Sequence, residues 1–523
     1  PFLWLLAVTI SGAGHPEILT SLLLLLFIVR TFARQKNKAA PAAIPPRQWP
    51  IRIVFASVLV LLFTFWPFSR LGKPTPEGLA YRAYFSSDYF KHFSLVEAVS
   101  KGGLPPTNPY FSGIKLHYYW LCYATPAFVS KFNGSVPRAM FSFSFTVNIL
   151  FVALLLLLLQ QICPRCRVTA YFLTVAVFAA SQEGLYLFAR DCRFRWAHFF
   201  RLGGQTDIDA LTRLRWGLPQ IDTLLRSLFY TPLHLLGLCF LVIFFLAISR
   251  EDRTPIFLSL VATLSLTASF FIGGILIFAW AVHFVVIESR QLFRQKFPFF
   301  SALKRAGKYF LFPVLGLALF EMLQMSRLDW QSDLFIQWIS PRHIRLLLFF
   351  NMGLVLLIGL AGLALVRFPG RAFHFVLFLL SMLLIVFVRI RGFENDLSLK
   401  LGLLIMVQAV IFAAQLFENF RIRGVAACGL LSLLILPGIP TLILDIRNSA
   451  DIANRHFTFY LPYEERAMLT WIRRHTPASA VVQTFPPARE LNISIIPSFA
   501  GRKMFVGDAL HGEIFQVEPA EYN

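Results

Sequence analysis

The sequence predicts an all-α polytopic membrane protein of about twelve transmembrane helices, with a small α/β extracytoplasmic region at its C-terminal end. Three observations carry this reading. Of 523 residues, 57% are hydrophobic and only 15% charged, where a soluble chain carries roughly 25% charge. Apolar runs such as SLLLLLFIVR recur from end to end, many close to the ~20 residues that cross a bilayer. Lys and Arg gather on alternate loops, as the positive-inside rule requires of a multi-pass chain. A soluble enzyme, a disordered chain and a secreted disulfide scaffold are excluded.

Spans are expected near 16–32, 51–67, 139–160, 168–189, 228–248, 309–324, 344–366, 373–390, 399–418 and 424–444. The apolar run 255–288 is too long for one helix and holds Gly273-Gly274 at its middle. It is read as a tight hairpin of two short helices. Residues 1–445 then form the transmembrane domain, and 446–523 the extracytoplasmic region. The chain opens on Pro1 and stops at Asn523, so both ends are read as trimmed. Its first stretch lacks the basic n-region of a cleavable signal.

Loop charge sets the orientation. Arg34, Lys36, Lys38 and Arg47 share one loop, and Arg165 and Arg167 another. Arg290, Arg294, Lys296, Lys304, Arg305 and Lys308 crowd a third, and Arg421 and Arg423 a fourth. All fit the cytoplasmic side of a plasma or inner membrane. The outer side receives 70–138, 190–227, 325–343, 391–398 and the tail, with Asp88, Asp207 and Asp396 among its acids. Residues 117–132 are apolar enough to mimic a span, but counting them would place the Arg290–Lys308 cluster outside. Their aromatics and central Pro126 suit a helix lying in the membrane interface.

The net charge of +22 follows from these basic loops, and no basic tract on an autonomous domain points to nucleic acid. Cys163 and Cys166 form a lone CPRC; without a second ligand pair it reads as a reduced loop, not a zinc site. In the tail, Pro462 followed by Glu464 and Glu465, with Arg473, Arg474 and His475 before Thr476-Pro477, predicts a helix over 463–475. Strands are expected at 480–485, 491–496 and 504–506.

The first outer loop is the richest in chemistry. Its stretch SSDYFKHFSLVEAVSKGGLPPTNPYFSGIKLHYYW, 86–120, holds Asp88, His92, Asn108, Lys115, His117 and Tyr118. Asp88 and His92 share one face if the segment is helical. A carboxylate under apolar cover can act as a general base or hold a divalent cation such as Mg or Mn. It can equally cap a helix that begins at Tyr89. Arg389 and Arg391 end one span, and Asn395, Asp396 and Lys400 open the next. Guanidinium groups there suit phosphate oxygens, or simply snorkel. His234 and His283 read as packing residues, although ionisable groups within a membrane carry a functional hypothesis by default.

The loop resembles the C-type (GT-C) glycosyltransferase superfamily, in an uncharacterised bacterial and archaeal branch. The resemblance rests on Asp88-Tyr-Phe-Lys-His92, Pro105-Pro106-Thr-Asn108-Pro109, Gly113 and His117-Tyr118-Tyr119. It is supported by Asn395-Asp396-Leu397 with Lys400, where the family pattern has Arg, and by WIRRHTP and AGRKMFVGD in the tail. The resemblance implies an inverting enzyme that moves a sugar from a polyprenyl-phosphate donor to an acceptor outside the membrane. Asp88 would be the base that activates the acceptor hydroxyl, or its positioning group, and His92, Asn108, Lys115, His117, Tyr118, Arg389, Arg391, Asn395, Asp396 and Lys400 are the expected substrate-binding residues. The first loop departs from the family in carrying no paired D-x-D or D-D, which leaves a part for Mg or Mn open. The competing classes are a transporter or flippase, which calls for repeats and broken helices, and a non-catalytic membrane scaffold of the same fold.

Overall fold

The computed structural model describes residues 49–102, 105–202, 221, 223–249, 255–292, 299–322, 334–336, 341–390, 396–484, 494–508, 511–512, 515 and 517. Helix α1 (Trp49–Ser69) leads into strands β1 (Lys73–Thr75) and β2 (Gly78–Arg82), then α2 (Ala83–Ser100). A loop precedes α3 (Ala124–Asn133), α4 (Val136–Ile162), α5 (Arg167–Ala176) and α6 (Glu183–Arg190). Further on lie α7 (Leu224–Tyr230), α8 (Pro232–Ile248), α9 (Pro255–Ala268), α10 (Phe270–Leu292) and α11 (Phe299–Met322). Strand β3 (Leu334–Ile336) precedes α12 (Pro341–Leu365) and α13 (Arg371–Phe387). After β4 (Val388–Ile390) come α14 (Asp396–Asn419), α15 (Gly424–Ile435) and α16 (Ile439–Ala450). The tail contributes β5 (Thr458–Leu461), α17 (Tyr463–His475), β6 (Val481–Val482) and β7 (Lys503–Met504).

The protein is mostly helical. Among the described residues, five segments are long and apolar enough to cross a membrane: Pro50–Ser69, Val136–Ile162, Phe270–Ile287, Leu397–Asn419 and Gly424–Ala450. Four shorter apolar helices accompany them: Pro232–Ile248, Pro255–Ala268, Phe350–Leu365 and Arg371–Phe387. The span expected at 16–32 lies outside the described residues. Large apolar side chains stand exposed along α1 (Val54, Leu62, Phe65), α11 (Val314, Leu315) and α13 (Leu379, Leu383). Water tolerates little contiguous apolar surface of this kind, whereas lipid does.

Helix α14 is the axis of the bundle. Along it Leu401, Leu404, Ile405, Val407, Val410 and Phe412 are fully buried. Midway along it the buried Gln408 donates to the His374 carbonyl at 3.0 Å. Helix α12 lies against it at backbone distance, because a Cβ on Gly362 would sit 2.0 Å from the Phe412 carbonyl oxygen. Small residues let helices approach where lipid offers no hydrophobic drive between them.

Several expected spans are interrupted. The one expected at 168–189 splits into α5 and α6, and its intervening residues bond to neighbouring helices. Gln182 N–H donates to the Phe350 carbonyl at 2.8 Å, Ser181 Oγ to the same carbonyl at 3.2 Å, and Thr441 Oγ1 to the Ser181 carbonyl at 2.8 Å. Helix α12 kinks beside this point at Gly353, whose φ of 53° suits glycine. The span expected at 424–444 becomes α15 and α16, joined by a 3₁₀ turn at Leu436–Gly438 and running on to Ala450. In the 255–288 hairpin the break falls at Ser269, not at Gly273-Gly274. Ser269 Oγ caps α10 by accepting from Ile272 N–H at 3.4 Å.

The two ends of the bundle carry different residues. The α4–α5 and α14–α15 turns meet at one end, where Glu418 accepts from Arg165 N–H at 3.1 Å. At the other end the first outer loop and the tail build one antiparallel sheet in the order β1-β2-β5. Its second pairing runs from Leu79↔Leu461 to Arg82↔Thr458. The helix expected at 463–475 is present as α17 with its charges as placed. The 480–485 strand contracts to β6, which pairs in parallel with β7. Of the 491–496 strand, 491–493 lie outside the described residues, and Ile496 opens a helical turn, Ile496–Ala500.

Gly362→Ala should destabilise the protein by about 1–3 kcal/mol through overpacking, read as an earlier thermal unfolding midpoint in detergent. Topology is testable by cysteine labelling in a background lacking exposed Cys428. From intact cells, an impermeant maleimide should reach Trp471→Cys but reach Arg421→Cys only after permeabilisation. Labelling of both from one side would dissolve the two-ended arrangement.

Candidate functional site

Helix α2 continues straight from β2, and Arg82 is its N-cap. Asp88 therefore lies in the second turn, and the alternative that it caps a helix beginning at Tyr89 does not hold. Its side chain is 28% exposed, open enough for a substrate to reach. It accepts a hydrogen bond from Lys91 Nζ at 3.0 Å.

His92 shares the face of Asp88 but faces inward, 3% exposed. Its Nε2 lies 3.1 Å from the Tyr230 carbonyl oxygen, which only accepts, so Nε2 carries the proton. Nδ1 then accepts from Tyr123 O–H at 2.7 Å. Burial first, then the Lys91 charge, push His92 down to about 4, against the weaker pull of Asp88 and the Tyr230 carbonyl. With both nitrogens engaged and the ring neutral, His92 holds α2 against Tyr123 and Tyr230.

A second polar chain starts from the loop after α2. Tyr118 O–H donates to Tyr119 Oη at 2.8 Å, and the two rings stack with centroids 4.1 Å apart. Tyr119 Oη meets His234 Nε2 at 3.2 Å, and His234 Nδ1 meets Ser269 Oγ at 2.8 Å. His234 is held where α8 begins and where the α9–α10 hairpin turns. Lys400, on the first turns of α14 and only 4% exposed, lies close enough for its charge to act on His234, as does Lys91. The first outer loop and the start of α14 thus meet around one histidine.

The other expected site residues divide. Asn108 is buried; its Oδ1 accepts from Tyr110 N–H at 2.9 Å and its N–H donates to the Ile114 carbonyl at 2.9 Å, so it shapes the loop. Lys115 is exposed across a β-bridge from Thr107, and His117 is half-buried nearby. Arg389, on β4 opposite Phe335, has a buried Nε with no hydrogen-bond partner among the described residues. Arg391 and Asn395 lie outside the described residues. Asp396 opens α14, and its side chain lies outside them as well. Lys91, Tyr119, Tyr123 and Tyr230 were not anticipated as site residues. Lys91 stands inside the D-x-x-x-H motif, but which side chain it would meet was not readable there.

Among the described residues no three His, Cys, Asp or Glu side chains gather closely enough to hold a metal ion. The hydrogen-bond partner of Asp88 at this point is the Lys91 ammonium.

Residues 1–190 match the model of a family described as "Uncharacterized membrane protein (DUF2298)". That stretch includes α2 with Asp88 and His92, and the loop with Asn108 and Tyr118. Helix α14 and the tail lie beyond it. No curated protein matches the chain. With its apolar spans and lipid-type surface, the chain is a membrane protein.

Two outcomes follow for His92. Its folded-state proton affinity is depressed, so the stability it contributes is complete above about pH 6.5 and is lost as pH falls toward 4. The loss is on the order of 3 kcal/mol, to be read from unfolding midpoints across that range. Tyr123→Phe should cost about 1–3 kcal/mol by leaving Nδ1 buried without its donor, and should flatten part of that pH dependence.

Proposed function

We propose that the protein is an integral membrane glycosyltransferase of GT-C type, transferring a sugar from a polyprenyl-phosphate-linked donor to an acceptor on the outer side of the membrane. One observation carries the reading. A solvent-reachable carboxylate, Asp88, is paired with Lys91, and Lys91 and the buried cation Lys400 both act on His234 at one end of an apolar helix bundle. Such transfer needs a carboxylate for the acceptor hydroxyl and positive charge for the departing phosphate, next to lipid. The acceptor proton passes to Asp88 as the new C–O bond forms. The anomeric carbon's bond to the phosphate oxygen breaks with inversion, and the polyprenyl phosphate leaves toward Lys400. Lys91 orients the carboxylate, and the Tyr118–Tyr119–His234 chain lines the approach. Helix order alternates between the two ends through a broken 167–190 pair and, with 16–32, amounts to about twelve spans.

A second reading, a lipid-linked-sugar flippase, is favoured by the three interrupted helices that meet at Ser181, Gly353 and Gly438. Discontinuous helices line transporter sites. Here, however, the interruptions are closed by hydrogen bonds between helices.

Membranes carrying the protein should transfer label from polyprenyl-phosphate sugars, and Asp88→Asn should reduce the rate about a hundredfold or more. Unchanged transfer in Asp88→Asn would remove the catalytic assignment. Label that crosses vesicles without being transferred would favour the flippase.

A further inference from the structure

A second charged site lies at the far end of α2. Glu97 stands nine positions after Asp88, roughly 13 Å along the helix axis, so this site is distinct from the one around His234. Here the end of α2, the loop at Thr107 and the tail turn from Pro497 to Lys503 enclose a small open notch. The tail is fastened over the loop: Met504 N–H donates to the Pro109 carbonyl at 2.9 Å, and Ser112 N–H to the Met504 carbonyl at 2.8 Å.

The charges in this notch do not balance. Arg502, Lys503 and Arg473 all act on Lys101 beside one carboxylate, Glu97. Glu97 is committed to Arg473, whose Nη2 donates to it at 2.5 Å. Arg502 is committed wholly to the protein. Its N–H groups reach Thr476 Oγ1 at 2.8 Å and the carbonyls of Ala500 at 3.3 Å, Gly501 at 3.1 Å, Arg473 at 2.6 Å and Thr476 at 2.7 Å. Its guanidinium therefore supplies fixed positive charge and no spare donor. Lys101 donates to the Gly501 carbonyl, which leaves two of its three N–H groups uncommitted. The Lys503 ammonium has no hydrogen-bond or ion-pair partner among the described residues. Two ammonium groups with donors to spare thus flank a notch whose wall carries a surplus of positive charge.

We infer that this notch binds a phosphate group, held by Lys101 and Lys503 in the field of Arg502. A phosphate carries close to two negative charges and several strong acceptor oxygens, which matches both the surplus and the open donors better than one carboxylate does. The notch is open on one side and has room for little more than a water, so a phosphate would seat at its mouth, against the two ammonium groups. Partial burial, with Arg502, Lys503 and Arg473 close by, pushes Lys101 down to about 8 against the pull of Glu97. A bound phosphate would relieve that repulsion. The site does not depend on the transfer reaction. The phosphate is either free in solution or part of a lipid headgroup.

The test is competitive acylation of lysines in the full-length protein, in neutral detergent at pH 7.5, read by mass spectrometry with exposed Lys115 as reference. Inorganic phosphate should lower labelling of Lys101 and Lys503 at least threefold and saturably, while Lys115 is unaffected. In Lys503→Gln the protection of Lys101 should largely vanish. Equal protection by chloride at matched ionic strength would reduce the effect to screening and overturn the site. In a second arm the protein is reconstituted in phosphatidylcholine vesicles with or without phosphatidic acid. Protection by phosphatidic acid alone assigns a lipid headgroup, and protection by inorganic phosphate in neutral vesicles assigns the free ion. Absence of protection in both arms would overturn the proposal.

Discussion

The pairing of β2 with β5 is the constraint on which the sheet-bearing end of the structure depends. It closes a loop over most of the chain: Arg82 Nε donates to the Asn448 carbonyl at 2.8 Å, with 366 positions between them. Closing so long a loop costs entropy that grows only slowly with length, and a few strong local contacts offset it. Because α2 grows out of β2 without a linker, fixing β2 fixes the axis along which Asp88, His92, Glu97 and Lys101 are spaced. The same pairing brings the tail down onto that helix, where Ser498 Oγ donates to the Phe90 carbonyl at 2.8 Å. One short sheet therefore positions both ends of α2.

Beneath the sheet, the contacts are polar and buried. Arg226 donates through Nε and Nη2 to Asp445 at 3.1 and 3.0 Å, joining α7 to α16. Tyr230, four residues on, hydrogen-bonds Ser449 through its hydroxyl and His92 through its carbonyl. Removing either partner of such a pair strands a charge in the interior, while the intact pair adds less net stability than its geometry suggests. Its effect is on register. It sets which turn of α16 faces α7 and hence where the Tyr230 carbonyl meets His92.

Within the bundle the same accounting of polar groups explains the broken helices. Unsatisfied backbone groups are costly in hydrocarbon, so irregular backbone survives there only where protein encloses it. Ser181, Gln182 and Thr441 supply the missing partners at the α5–α6 break, and Gly353 gives α12 the kink that lets its Phe350 carbonyl accept from two of them. These interruptions lock three helices together, and they let α6 and α16 lean toward the end of the bundle where the polar chains lie.

Much of this was legible in the sequence, because the membrane imposes a one-dimensional rule. Apolar length marks helices such as α1, α4 and α14, basic loops such as that around Arg165 mark one end, and the acidic first turn and basic last turn of α17 mark a helix directly. The D-x-x-x-H spacing likewise located Asp88 and His92 on one helical face. The sequence alone could not divide their roles, because the segments that bury His92, and the Tyr230 carbonyl and Tyr123 hydroxyl that engage its two nitrogens, are distant in the chain. Nor could it reveal that Asp88 is not a cap, since the helix start is set by the end of β2, and β2 exists only through its pairing with β5. The breaks in 167–190 and 424–450 were hidden for the same reason: hydropathy averages over Ser181 and Thr441, while their hydrogen bonds to other helices decide the backbone. Composition and loop charge determined that this chain is a two-ended helical membrane protein. Long-range hydrogen bonds, invisible to any local pattern, decided which of its polar residues meet.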